Sequence, residues 1–159
     1  MKNKNEAQLL ISEITNELNK IEQIYLDLKN QVLLKSTRER VESMALRMHN
    51  IYTGLERIFQ LIAHDLNGKI PEGFDWHRQL LHQMSLDLTN IRPPLIKSEN
   101  LPFLRDLLAF RHVVRYSYGF ELIPQKVKKL AKETIQKYPK VKKDLESFIE
   151  FLKTLNNKI

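Results

Sequence analysis

The feature that most limits what this chain can fold into is a stripe of apolar residues recurring at steps of three and four over two long stretches. Between about Asn5 and Leu34 the stripe is Leu9, Leu10, Ile14, Leu18, Ile21, Ile24, Tyr25, Leu28 and Val32, the spacing of one buried face on an amphipathic helix. A second stripe runs Val41, Met44, Ala45, Met48, Ile51, Tyr52, Leu55, Ile58, Phe59, Ile62 and Leu66. Lys35 to Thr37 interrupts the pattern, with Ser36 or Thr37 able to cap the second helix. Asn67-Gly68 ends it, because that pair readily adopts positive φ at a helix C-terminus. No segment alternates with period two over a strand's length, so the sequence offers nothing for a sheet to be built from.

Shorter elements follow. A loop through Pro71 and Gly73 leads to Asp75, placed to cap a third helix that begins at Trp76-His77 and carries Leu80, Leu81, Met84 and Leu88. It is expected to stop before Arg92-Pro93-Pro94, since neither proline donates an amide hydrogen. Ser98 or Asn100 is the expected cap of a fourth helix, with Pro102 in its tolerant first turn. That helix should extend through Leu104, Leu107, Phe110 and Val114 to about Leu122. Tyr138-Pro139 is expected to divide the remainder into two short helices, near Gln125 to Lys137 and Val141 to Asn156. The reading is all-α: a four-helix bundle of two long and two shorter helices over residues 1–122, with a basic C-terminal helical extension, 123–159, packed on the same domain.

Composition excludes several function classes. The chain has no cysteine, hence no disulfide framework, thiolate zinc site or cysteine nucleophile. Gly54, Gly68, Gly73 and Gly119 are scattered singly, whereas a phosphate-cradling loop needs them closely spaced. No apolar run approaches the roughly 18 to 20 residues of a membrane-spanning helix, and Met1 to Glu6 is polar rather than signal-like, so the cytoplasm is the expected compartment. The net charge of +7 favours an anionic partner such as nucleic acid. Residues 125 to 159 hold ten lysines and four acids, so the excess lies almost wholly in the C-terminal part.

The five histidines do not suggest a metal centre. His77 and His82 are close in sequence, but five residues at 100° each put them about 140° apart on a helix, so neither a metal nor a cofactor is expected. The carboxylate pairs Glu13/Glu17, Glu39/Glu42 and Glu146/Glu150 sit where a solvated helix face would place them. The densest polar cluster inside an apolar helix is the run Arg105 to Tyr118. On a wheel Arg111, Arg115 and Tyr118 fall within about 60° of one another, and Arg105, His112 and Tyr116 within about 40°. Arginines hold phosphates and a histidine moves protons near neutral pH, so these residue types suit phosphodiester chemistry. Ion pairs and half-exposed tyrosines on an ordinary bundle helix would use the same residues.

Three stretches give the sequence a resemblance to the HEPN superfamily, specifically its HepT-like toxins: Tyr52-Thr53-Gly54-Leu55-Glu56-Arg57-Ile58-Phe59, Trp76-His77-Arg78-Gln79-Leu80-Leu81, and Phe110-Arg111-His112-Val113-Val114-Arg115 with Tyr118. The resemblance covers about residues 40 to 122. It implies a four-helix bundle that pairs as a homodimer, a metal-independent ribonuclease acting on RNA at a cleft between two subunits, and a nucleotidyltransferase antitoxin as partner. The family's motif is an Arg, four to six residues of which the first is usually polar, and a His, with a Tyr two positions beyond. Aligned on Arg111-His112, the motif His falls at Tyr116 and the Tyr at Tyr118. Aligned on Arg105-Asp106, six residues precede His112, but the Tyr correspondence is lost. The first register is favoured. The resemblance thus implies Arg111, His112 and Arg105 as catalytic, Arg115, Tyr116 and Tyr118 as substrate-binding, and Tyr118 as a residue an antitoxin could modify. The alternative is a catalytically silent module of the same fold that binds RNA or the antitoxin, because Tyr116 stands in the motif His position.

Overall fold

The structure, a computed structural model, describes residues 3–116, 118 and 121–158. Its helices are α1 (Lys4–Leu33), α2 (Arg38–Ile62), α3 (Trp76–Met84), α4 (Leu101–Tyr116) and α5 (Pro124–Asn156), and among the described residues there is no strand, only an isolated bridge between Leu88 and Arg92. α1 and α2 form the long hairpin that the two stripes require. Asn3 caps α1 by accepting from the Glu6 amide at 2.9 Å, and Thr37 caps α2 by accepting from the Arg40 amide at 3.2 Å. These contacts satisfy amides that a helix start leaves without partners. α2 runs on into one π-helical turn, Ala63–Asn67, and stops at Gly68 with φ 83°.

α2 is the centre of the bundle and touches α1, α3, α4 and α5. Its contact with α1 is closest at Gly54, where a Cβ would stand 2.6 Å from Ile21 Cγ1. Only a residue without a side chain lets the two helices approach so far. Apolar residues of α1, α2, α4 and α5 form one continuous core with Leu80, Leu81 and Met84 of α3.

Two expectations about the shorter elements need correction. α3 ends at Met84 rather than near Leu88. The segment beyond it is organised by Arg92, which is 2% exposed. Its guanidinium donates to the Asn67 side chain at 3.0 Å and to the carbonyls of Gln83, Leu86 and Pro93 at 2.9 to 3.2 Å. A planar fork with five donors can gather the loose ends of two helices in this way. Neither Ser98 nor Asn100 caps α4: a short 3-10 turn, Ser98–Asn100, leads into it. The Asn100 amide group instead donates to Asp144 of α5 at 2.7 Å, alongside the Lys97 backbone amide at 3.0 Å.

A third correction concerns the C-terminal part. Tyr138-Pro139 does not divide it, and α5 is one helix of 33 residues with Pro139 inside. A proline within a helix supplies no N–H for the carbonyl four residues earlier, here that of Ile135. The hydroxyl of Tyr25, from α1, donates to that carbonyl at 2.9 Å. Tyr138 is fully buried, and its ring lies 4.8 Å from that of Tyr25. The dipeptide is therefore a packing point between α1 and α5. The exposed lysines lie opposite, while Val127, Ala131, Tyr138, Val141, Leu145 and Leu152 face the core.

Candidate functional site

The three sequence stretches singled out above come together around Arg111. On α2, Thr53 and Glu56 are three residues apart and share a face. On α4, Arg111 points between them: its Nε donates to Thr53 Oγ1 at 3.3 Å, and its Nη2 lies 3.7 Å from Glu56 Oε1. α3 supplies His77, whose Nδ1 is 2.7 Å from Glu56 Oε2. The Trp76 ring stacks on the His77 ring with centroids 3.7 Å apart. The Glu56 side chain is 6% exposed, that of Arg111 13% and that of His77 24%.

The tautomer of His77 follows from these distances. An ionised carboxylate only accepts, so a contact of 2.7 Å requires the proton on Nδ1. Arg111 Nη1 also lies 3.4 Å from this nitrogen, but two donors cannot bond each other, so both are aimed at Glu56. In the neutral ring Nε2 is then the acceptor, the arrangement that orients a histidine for proton transfer.

Two further α2 residues line the cluster. His49 is held below its ordinary pKa, first by burial and then by the charges of Arg111 and Arg115. Tyr52 is fully buried, with its hydroxyl unpaired among the described residues. Its pKa is pushed up by burial and by the Glu56 carboxylate, against the opposing pull of Arg111. Negative and positive groups are thus balanced here in a region largely closed to water.

The other expected site residues lie elsewhere on α4. Arg105, His112, Arg115 and Tyr116 are exposed; the His112 ring sits 4.5 Å from that of Tyr116, and the Arg115 guanidinium 5.9 Å from the same ring. Consecutive helical residues diverge by about 100°, so His112 leaves the cluster that Arg111 enters. Tyr118 lies beyond the end of α4, so the wheel placing it on the face of Arg111 does not apply there. The expected helical run to about Leu122 crosses residues 117, 119 and 120, which lie outside the described residues; Tyr118 and Leu122 themselves are not helical.

Thr53, Glu56 and His77 were not read as site residues from sequence. The signal was available, since Glu56 and His77 both belong to the quoted stretches, but His77 was weighed only against His82, its neighbour on the same helix. Among the described residues no group of three or more His, Asp or Glu side chains is placed to hold a metal ion, and no helix is long and apolar enough to cross a membrane.

A comparison with curated proteins finds no match. A family model described as HepT-like protein matches residues 43–152, a span that takes in the whole Thr53–Glu56–His77–Arg111 cluster and most of α5. The chain belongs to the HepT-like family.

Proposed function

We propose that the protein is a metal-independent endoribonuclease, the toxin of a toxin–antitoxin pair, working as a homodimer in the cytoplasm. The observation that carries this reading is the convergence of three separated stretches on one arginine. Arg111 and Arg105 stabilise charge on the scissile phosphate, and His112, which lies off the Arg111 face within one chain, supplies the proton to the leaving oxygen across the dimer cleft. Arg115, Tyr116 and Tyr118 line the path of the RNA strand. Support for a two-subunit site comes from Val113 and Tyr116, which leave an apolar and aromatic row exposed on α4. The lysines of α5 add a sequence-independent attraction for the backbone. A nucleotidyltransferase antitoxin is the proposed inhibitor, with Tyr118, 71% exposed, as the residue it would modify.

The test is cleavage of tRNA and mRNA by the purified protein in a chelator, beside Arg111→Ala and His112→Ala. Cleavage by the wild type and not by the variants is expected; equal cleavage by all three sinks the reading. A second reading, a silent RNA-binding module, is favoured by Tyr116 in the motif His position and by Glu56, which already faces the charge of Arg111. It predicts salt-dependent binding without product, and a gain of cleavage in Tyr116→His.

A further inference from the structure

The reaction proposed above requires a base as well as an acid, and the exposed face of α4 offers only His112. A second histidine stands in a more fully built position. We infer that His77, oriented by Glu56, is the general base that activates the RNA 2′-hydroxyl, with the Arg111 guanidinium beside it for the phosphate; this rests on the ribonuclease reading.

Three observations carry the inference. Glu56 fixes the proton on Nδ1 and leaves Nε2, which meets no protein partner among the described residues, as the basic nitrogen. Trp76 stacks on the ring and limits its rotation. Arg111 Nη1 is 3.4 Å from Nδ1, on the Glu56 side of the ring, so the guanidinium and the imidazole belong to one cluster. A Glu–His–Arg set serving packing alone would use up its polar atoms internally, whereas this one leaves Nε2 on a side chain that is about a quarter exposed (24%).

In the step itself, Nε2 takes the 2′-hydroxyl proton, O2′ bonds to phosphorus, and the bond from phosphorus to O5′ breaks. The leaving O5′ takes a proton from His112 across the proposed dimer cleft. The products are a 2′,3′-cyclic phosphate and a 5′-hydroxyl, with no metal or further reactant consumed. The charged groups in contact with His77 are Glu56 on α2 and Arg111 on α4. Glu56 is the carboxylate in contact with the ring, so a variant that removes its charge is the one whose pH profile tests the assignment.

Trp76 is the chain's single tryptophan, and its contact with His77 makes fluorescence a readout of the imidazole charge that is independent of activity. The experiment measures RNA cleavage against pH in a chelator, and Trp76 fluorescence against pH, for the wild type, His77→Ala, Glu56→Gln and, as a control on the exposed side of α3, His82→Ala. His77→Ala should lose about 100-fold or more in kcat, and His82→Ala should match the wild type. Glu56→Gln should lose about 10-fold, and its acid limb and fluorescence midpoint should move together to lower pH. Should His77→Ala fail to fold, judged by circular dichroism, the joint shift in Glu56→Gln decides alone. Wild-type cleavage with an unchanged rate in His77→Ala, or a fluorescence midpoint that does not move in Glu56→Gln, overturns the base assignment and leaves the ribonuclease reading standing. A wild type that cuts no RNA overturns both.

Discussion

Two of the regions that bury polar side chains do so to different ends. In the seam between α1 and α5, Tyr25 donates its hydroxyl to the Ile135 carbonyl that Pro139 cannot serve, so a polar contact repairs a backbone defect. Around Arg111, Thr53, Glu56 and His77 meet with no backbone defect to repair, and one nitrogen of the imidazole meets no partner among the described residues. Each region also contains a buried tyrosine hydroxyl without a partner among the described residues, Tyr138 in the seam and Tyr52 in the cluster, so an unpaired polar atom alone does not mark a site. The difference lies in what remains after the contacts are counted: a completed helix in one case, and a guanidinium beside an oriented imidazole in the other.

Substitutions can break this comparison. Glu56→Ala should have the largest effect on stability, about 3 kcal/mol by chemical denaturation, because it leaves the Arg111 charge buried opposite nothing. A loss below about 1 kcal/mol would mean that solvent reaches the cluster freely. Gly54→Ala should cost about 1 to 3 kcal/mol through the overlap with Ile21, measured as a fall in Tm. Because that contact belongs to the α1–α2 packing and not to the cluster, RNA cleavage per folded molecule should hold.

Smaller effects sharpen the seam. Tyr25→Phe should cost about 1 kcal/mol, and less in a Pro139→Ala background, where residue 139 regains an amide for the Ile135 carbonyl. An equal cost in both backgrounds, measured by a double-mutant cycle, would detach the tyrosine from the proline. The smallest effect concerns pH. His49 is held below its ordinary value of 6.5 in the folded state, so it favours the fold while neutral. Its contribution is present above about pH 6.5 and is lost as pH falls through the folded value. His49→Gln should therefore flatten the decline of Tm below about pH 6.5; an unchanged slope would show that His49 plays no part in it.

Much of the bundle was legible because local rules govern it. The stripes of α1 and α2, the Thr37 cap and the stop at Gly68 depend on neighbours within a few residues. Pro139 was misread because its compensation comes from Tyr25, 114 positions earlier on another helix. Arg92 escaped notice for the same reason, its partner Asn67 lying 25 residues away. At the site a helical wheel places Arg111 correctly on its own helix but carries no information about what faces it. The quoted stretches held Thr53, Glu56 and His77, yet only the packing of α2, α3 and α4 brings them within contact distance.

The central claim is that RNA engages the cluster at Arg111 rather than only the basic face of α5. The most direct measurement is an NMR titration of the protein with an RNA oligonucleotide blocked by a 2′-O-methyl group at the cleavage position. The account predicts that the Trp76 indole, the His77 ring and the Arg111 guanidinium signals shift together and saturate with one affinity. Shifts confined to the lysines of α5, with those three signals unmoved at saturation, would contradict it.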